Sequence, residues 1–204
     1  KSMQLGSKDS QAYASNVAFL NRVTEDYGLE LITTSQAYNK FYIASKNKLA
    51  LEDIQLIFDK VSKSASLMGI SVYEQEGIFK ALEQMMSKGT VQAEELRGQL
   101  GDRLPGAFEI MAKAMNVSTA ELNNMMKNGE VMASEVLPKF AIELEKAFGA
   151  DKVTKVENLT AAENRLKNEW TAFVSEINGS DNAIGSFGIA FMGFIRQALS
   201  GLSR

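Results

Sequence analysis

"MMSKGTVQAEEL" (residues 85–96) returns forty residues later as "MMKNGEVMASEV" (residues 125–136), and this repetition decides how the fold is read. The twelve aligned positions give six identities: Met85/Met125, Met86/Met126, Gly89/Gly129, Val91/Val131, Ala93/Ala133 and Glu95/Glu135. Leu82/Leu122 adds another just upstream. Each copy reads as the end of an apolar-faced helix, a glycine stop, a buried valine in the connection, and the start of a second helix. Glycine suits that stop because it adopts the left-handed conformation that ends helices without Cβ strain. The repeated object is expected to be a helix–turn–helix hairpin. Two hairpins packed around one core, with the methionines filling irregular gaps, is the plainer architecture. A sharper alternative makes Met85, Met86, Met125 and Met126 an adaptable groove for a partner helix, which exposure of those side chains would favour. Two copies fall short of a solenoid.

The helical period extends outward from this phrase. Ile54, Ile57, Phe58, Val61, Ala65 and Met68 form one stripe, and Leu159, Ala162, Leu166, Trp170, Phe173 and Ile177 another. Both predict amphipathic helices packed on a core. Ser71 with Glu74, Ser118 with Glu121 and Thr160 with Glu163 have the spacing of capping boxes, in which a hydroxyl and a carboxylate satisfy orphan N–H groups reciprocally. Glycines at 28, 69, 89, 129 and 149 follow periodic runs as helix stops, and Pro105 fits the first turn of a helix carrying Phe108, Met111, Ala112 and Met115. Helices are therefore predicted over 10–27, 30–46, 51–67, 72–88, 93–100, 105–116, 119–128, 134–148, 160–177 and 184–200, with no alternating strand. The fold class is all-α, a compact bundle of about ten helices containing the two repeated hairpins.

Composition narrows the chemistry. The chain has 204 residues, is 45% hydrophobic, and contains neither cysteine nor histidine. Disulfides, thiolate nucleophiles, zinc knuckles and imidazole general bases are all ruled out. No cofactor, metal or catalytic site is expected. A net charge of −3 supplies no basic field for nucleic acid or an anionic bilayer, so sequence-specific nucleic-acid binding is not expected. The adjacent acids Glu94/Glu95 and Glu52/Asp53 do not face one another on a helix and read as helix-start acids complementing the dipole. Trp170 and the tyrosines at 13, 27, 38, 42 and 73 are scattered and read as core and boundary residues. In "GDRLPGA" (residues 101–107), Gly101 permits a sharp turn, Asp102 offers a cap, and Asp102 with Arg103 reads as a solvated turn.

The opening Lys1-Ser2-Met3 carries no signal-peptide pattern and suggests a segment of something longer. Residues 178–204 are glycine-rich, apolar and nearly free of acids. They either pack on the domain and lead into an absent downstream segment, or form a surface-seeking helix over 184–200 that makes membrane contact.

Residues 81–131, "ALEQMMSKGTVQAEELRGQLGDRLPGAFEIMAKAMNVSTAELNNMMKNGEV", resemble the N-terminal domain of bacteriophage tail tape measure proteins. "EDYGLEL" (25–31), "ASLMGISVYEQEGIF" (65–79) and "LPKFAIELEKAFG" (137–149) extend the resemblance to about residues 12–177. The signature is a methionine-rich helix end, a "KG-V" connection, an "EEL" helix start and an "LPGA" turn. Here it falls on Met85, Met86, Lys88, Gly89, Val91, Glu94, Glu95, Leu96, Leu104, Pro105, Gly106 and Ala107, with Gly129 and Val131 in the second copy. Where the family often has Ser before "AEEL", this chain has Gln92; the second copy has Met132, with Ser134 as a cap one turn later.

The resemblance implies a structural protein of a phage or prophage tail, made in the host cytoplasm and then held in the tail lumen, with no catalytic residues. It implies a role in tail length, with tail tube subunits and tail assembly chaperones as partners and self-association inside the tail as a further candidate. The sequence adds a refinement. One unbroken helix of this length would span about 306 Å, whereas these helices stop every ten to eighteen residues and each has an apolar face to bury. A folded anchor or docking module is expected, not the extended ruler. The alternative is a helical interaction module with a methionine-lined groove, or a membrane-active tail segment, outside phage assembly. The expected organisation is N-terminal helices (1–69), a duplicated hairpin core (70–150), a C-terminal amphipathic helix (151–177) and the apolar tail (178–204).

Overall fold

Apolar residues at helical spacing, interrupted by caps and glycines, produce helices in the computed structural model, which describes residues 7–178. The helices are α1 (Ser7–Tyr27), α2 (Leu31–Ser45), α3 (Leu51–Leu67), α4 (Val72–Lys88), α5 (Ala107–Met115), α6 (Thr119–Lys127), α7 (Ala133–Ala147) and α8 (Leu159–Asn178). A π-helix (Glu94–Leu100) lies between α4 and α5, and a 3₁₀ turn (Ala150–Lys152) between α7 and α8. The predicted all-α class holds. The helix predicted at 184–200 lies outside the described residues.

The residues fall into two units, one through Arg165 and one from Leu166, with α8 running across the boundary. In the first unit α3 lies against α7, α2 against α4, and α5 against α7. Its centre is aromatic: Phe58 stacks on Phe79 at 4.2 Å and meets Tyr38 edge-on at 5.0 Å, and Phe19 lies 5.3 Å from Tyr38. Such ring pairs add to simple area burial. The predicted α3 stripe is buried from Ile54 to Ala65, and only Met68 at its end is exposed. In the second unit the Trp170 and Phe173 rings approach to 5.8 Å.

Three local expectations are corrected. At α8, Thr160 is not the cap; two residues earlier, the Asn158 side chain accepts from the Ala161 N–H at 2.8 Å. The apolar stripe of α8 is not buried either, since Leu159, Leu166 and Trp170 are exposed and the opposite residues Ala161 and Asn164 are buried. Pro105 stands in the turn before α5, because Gly106, at φ +76°, is the cap that admits the helix at Ala107. The Ser71/Glu74 box forms in both directions, whereas Ser118 accepts from the Glu121 N–H at 3.1 Å without a reciprocal bond. The five glycine stops all have positive φ.

Candidate functional site

The repeated phrase brings its two copies together at their connections. The Val91 N–H donates to the Val131 carbonyl at 2.8 Å, and the Ala133 N–H to the Gly89 carbonyl at 2.9 Å, forming an isolated antiparallel bridge between Thr90 and Met132. Both valines are fully buried, and both glycines adopt positive φ, +86° at Gly89 and +71° at Gly129. Beyond the valines the copies diverge. The second enters the fifteen-residue α7, and the first enters a seven-residue π-helix. Neither Gln92 nor Met132 supplies a side-chain cap, and Ser134, expected as the cap of α7, lies inside its first turn.

The methionines expected to line a groove lie inward. Met85 and Met86 have no accessible surface, Met126 is buried, and Met125 is half-buried against the core. Folded as described, they present no open groove at Met85 and Met86. Of the remaining motif residues, Leu96, Leu104 and Ala107 are buried and belong to the same core.

Glu95 is a buried charged residue beside that core. Its carboxylate is 1% exposed and ion-paired with Lys88, whose own side chain is 41% exposed and also donates to Gln92 Oε1 at 3.1 Å. Glu95 Oε2 has no protein partner. The hydrogen bond to the carboxylate holds the Lys88 ammonium above its usual value. The turn that follows is also more enclosed than expected. Arg103 is laid across Gly77, where an added Cβ would come within 2.3 Å of Nε, and its Nη1 donates to the Gln99 carbonyl at 2.6 Å. Arg97 sits 3.7 Å above the Phe108 ring. These contacts replace the expected solvated charge pair with cationic stems packed on helix surfaces.

A second polar network, absent from the sequence reading, joins α1, α3 and α7. Glu145 accepts from Lys60 at 2.9 Å and Lys63 at 3.0 Å; Asp59 accepts from Tyr27 at 2.8 Å and Arg22 at 2.8 Å. Burial, followed by the Asp59 carboxylate, pushes the Tyr27 phenol well above its ordinary value. The available signal was a lysine at 63 beside the apolar α3 stripe, which had to meet an acid if buried.

Among the described residues no cluster of three or more acids could hold a metal ion, and no helix is long and apolar enough to cross a membrane. The hollow between α2 and α4, lined by Glu30, Thr34, Gln75 and Phe79, has about 10 Å³ of free space, room for one water at most. What the arrangement can do chemically is hold helices in register. It defines an all-α structural module whose distinctive residues are motif turns and buried pairs. Its family follows from comparison: the model described as "Tape measure protein" matches residues 1–179, and the chain belongs to that family. It is 30% identical over 198 residues to the probable tape measure protein of Salmonella phage Felix O1 (isolate Felix O1-VT1). The aligned part is 95% of this chain and 26% of that protein, so the chain spans about a quarter of its relative's length. No solved structure matches it.

Proposed function

We propose that this chain is a folded anchoring or docking module of a phage tail tape measure protein, distinct from the extended portion that measures. The observation that supports this reading is the closure of α1 to α7 around one core. No helix among the described residues exceeds 21 residues, and α1 to α7 share buried side chains. A 21-residue helix is about 31 Å long, whereas α1 to α7 drawn out as a single helix would reach about 210 Å. Folding in this way spends chain without gaining length. The quarter-length coverage of the phage relative leaves most of such a protein available for the extended role.

On this reading the module acts in the tail lumen, where tail tube subunits and assembly chaperones are the partners to test. Residues 85–124 can be deleted in frame from a full-length gene and tail lengths measured by electron microscopy. A folded module predicts absent, aberrant or unchanged-length tails. Uniform tails shorter by about 60 Å, forty residues at helical rise, would overturn it.

A further inference from the structure

We propose that residues 156–165 are a polar latch, which opens from the end of α1 as a unit while the core beneath stays closed. This goes beyond the tape measure reading and does not depend on it.

The last carbonyls of a helix have no intrahelical partner and must be satisfied by other groups. At the end of α1 the Thr24 carbonyl accepts from the Leu29 N–H and the Tyr27 carbonyl from Ser66 of α3, while the carbonyls of Glu25, Asp26 and Gly28 are met from one distant segment. Arg165 Nε donates to the Glu25 carbonyl at 3.0 Å, and Nη2 to the Asp26 and Val156 carbonyls at 3.1 and 2.8 Å. Asn164 donates to the Gly28 carbonyl at 3.0 Å, and the Val156 N–H to the Asp26 carbonyl at 2.8 Å. Asn158 donates to the Ser66 carbonyl at 2.7 Å, and the Ser66 hydroxyl in turn donates to the Tyr27 carbonyl. The Arg165 cation also stands at the negative end of the α1 dipole. Gly28 makes the approach possible, since its φ is +60° and a Cβ there would fall 2.4 Å from the Ala161 Cβ.

The apolar share of this contact is small. Val156 and Ala161 are buried, whereas Leu159 is 76% exposed and Glu157, Ala162 and Glu163 are exposed. The core is filled instead by Phe41, Phe58 and Phe140 from α2, α3 and α7. Release of the latch uncovers one valine, one alanine and a set of carbonyls that water can solvate. Segments held by few buried apolar contacts open below the global unfolding free energy. A load or a binding event acting on the chain beyond Arg165 can therefore detach this segment without unfolding the bundle.

Hydrogen exchange with mass spectrometry on the 204-residue chain tests the latch. Amides in 159–165 are expected to exchange through a smaller opening than those of α3 and α7. Arg165→Ala should accelerate them about tenfold, whereas Val131→Ala, buried in the core and untouched by the latch, should accelerate α3 and α7 and leave 159–165 unchanged. Arg165→Lys keeps the charge but loses the fork that reaches three carbonyls, and should fall between Arg165→Ala and the parent chain. Exchange of 159–165 only together with α3 and α7, no acceleration by Arg165→Ala, or an acceleration of 159–165 by Val131→Ala equal to that of α3 and α7, would overturn the proposal.

Discussion

The backbone N–H of Val91 donates to the carbonyl of Val131, so two occurrences of one sequence phrase are bonded at equivalent residues. Both side chains are fully buried, which makes the junction part of the core. Val91→Ala and Val131→Ala should each lower unfolding stability by about 1–3 kcal/mol, from lost methyl burial plus the cavity left behind. Urea denaturation of the two variants measures this, and a negligible effect at either position would detach that valine from the core.

The start of α8 separates two readings of one helix boundary. Asn158, which accepts from the Ala161 N–H, should lose about 1 kcal/mol on substitution by alanine. Thr160→Ala should stay within about 0.5 kcal/mol. Thermal or urea unfolding of the pair decides it; the reverse order would restore Thr160 as the cap.

Lys88 and Glu95 are unequal partners. Without Glu95 the half-exposed Lys88 ammonium remains hydrated; without Lys88 the buried Glu95 carboxylate is left facing an apolar core. Lys88→Met should therefore destabilise more than Glu95→Gln. The raised Lys88 value fixes the pH window: the pair's contribution is fully present below about pH 10.4, the unfolded lysine value, and is lost as pH rises through the higher folded value. Urea midpoints of both variants at neutral pH and above pH 10 check the order and the sign.

Tyr27 and Tyr38 share the direction of that dependence. Burial raises both phenols, aided at Tyr27 by Asp59. Folding favours their protonated forms, so the contribution holds below about pH 10 and fades above it as the unfolded chain ionises first. Stability should fall from about pH 10 upward, and Tyr38→Phe should flatten that fall. An equal slope in the variant would show that Tyr38 does not contribute.

Much of this fold was legible because helices are written locally. The Ser71/Glu74 box, the glycine stops and the α3 stripe each depend on residues within one or two turns. The π-helix was not legible: Gln92 and Ala93 offer no cap, and the Gly101 N–H takes the Leu96 carbonyl five residues back, a choice made by packing against α4. The α8 stripe misled because periodicity reports that a face is apolar without saying what covers it. The side actually buried, Ala161 with Asn164, carries small and polar residues selected by the end of α1. Among the candidate site residues, sequence read Val91 and Val131 as buried valines in two short connections, but not the bond that joins those connections. It could not show that Met85 and Met86 face inward or that Glu95 pairs with Lys88, since both depend on which helices close over them.

The central claim is that this segment contributes a folded module and no measured length. Thr154 and Lys155 are exposed in the connection between α7 and α8, after the 3₁₀ turn and Val153, and an insertion between them deletes no core residue. Forty residues of helix-forming sequence inserted there, in the full-length protein, would add about 60 Å if this part of the chain were the ruler. Tail lengths by electron microscopy are predicted to remain at the parental value. A uniform lengthening of about 60 Å would contradict the account and place this segment within the measuring portion.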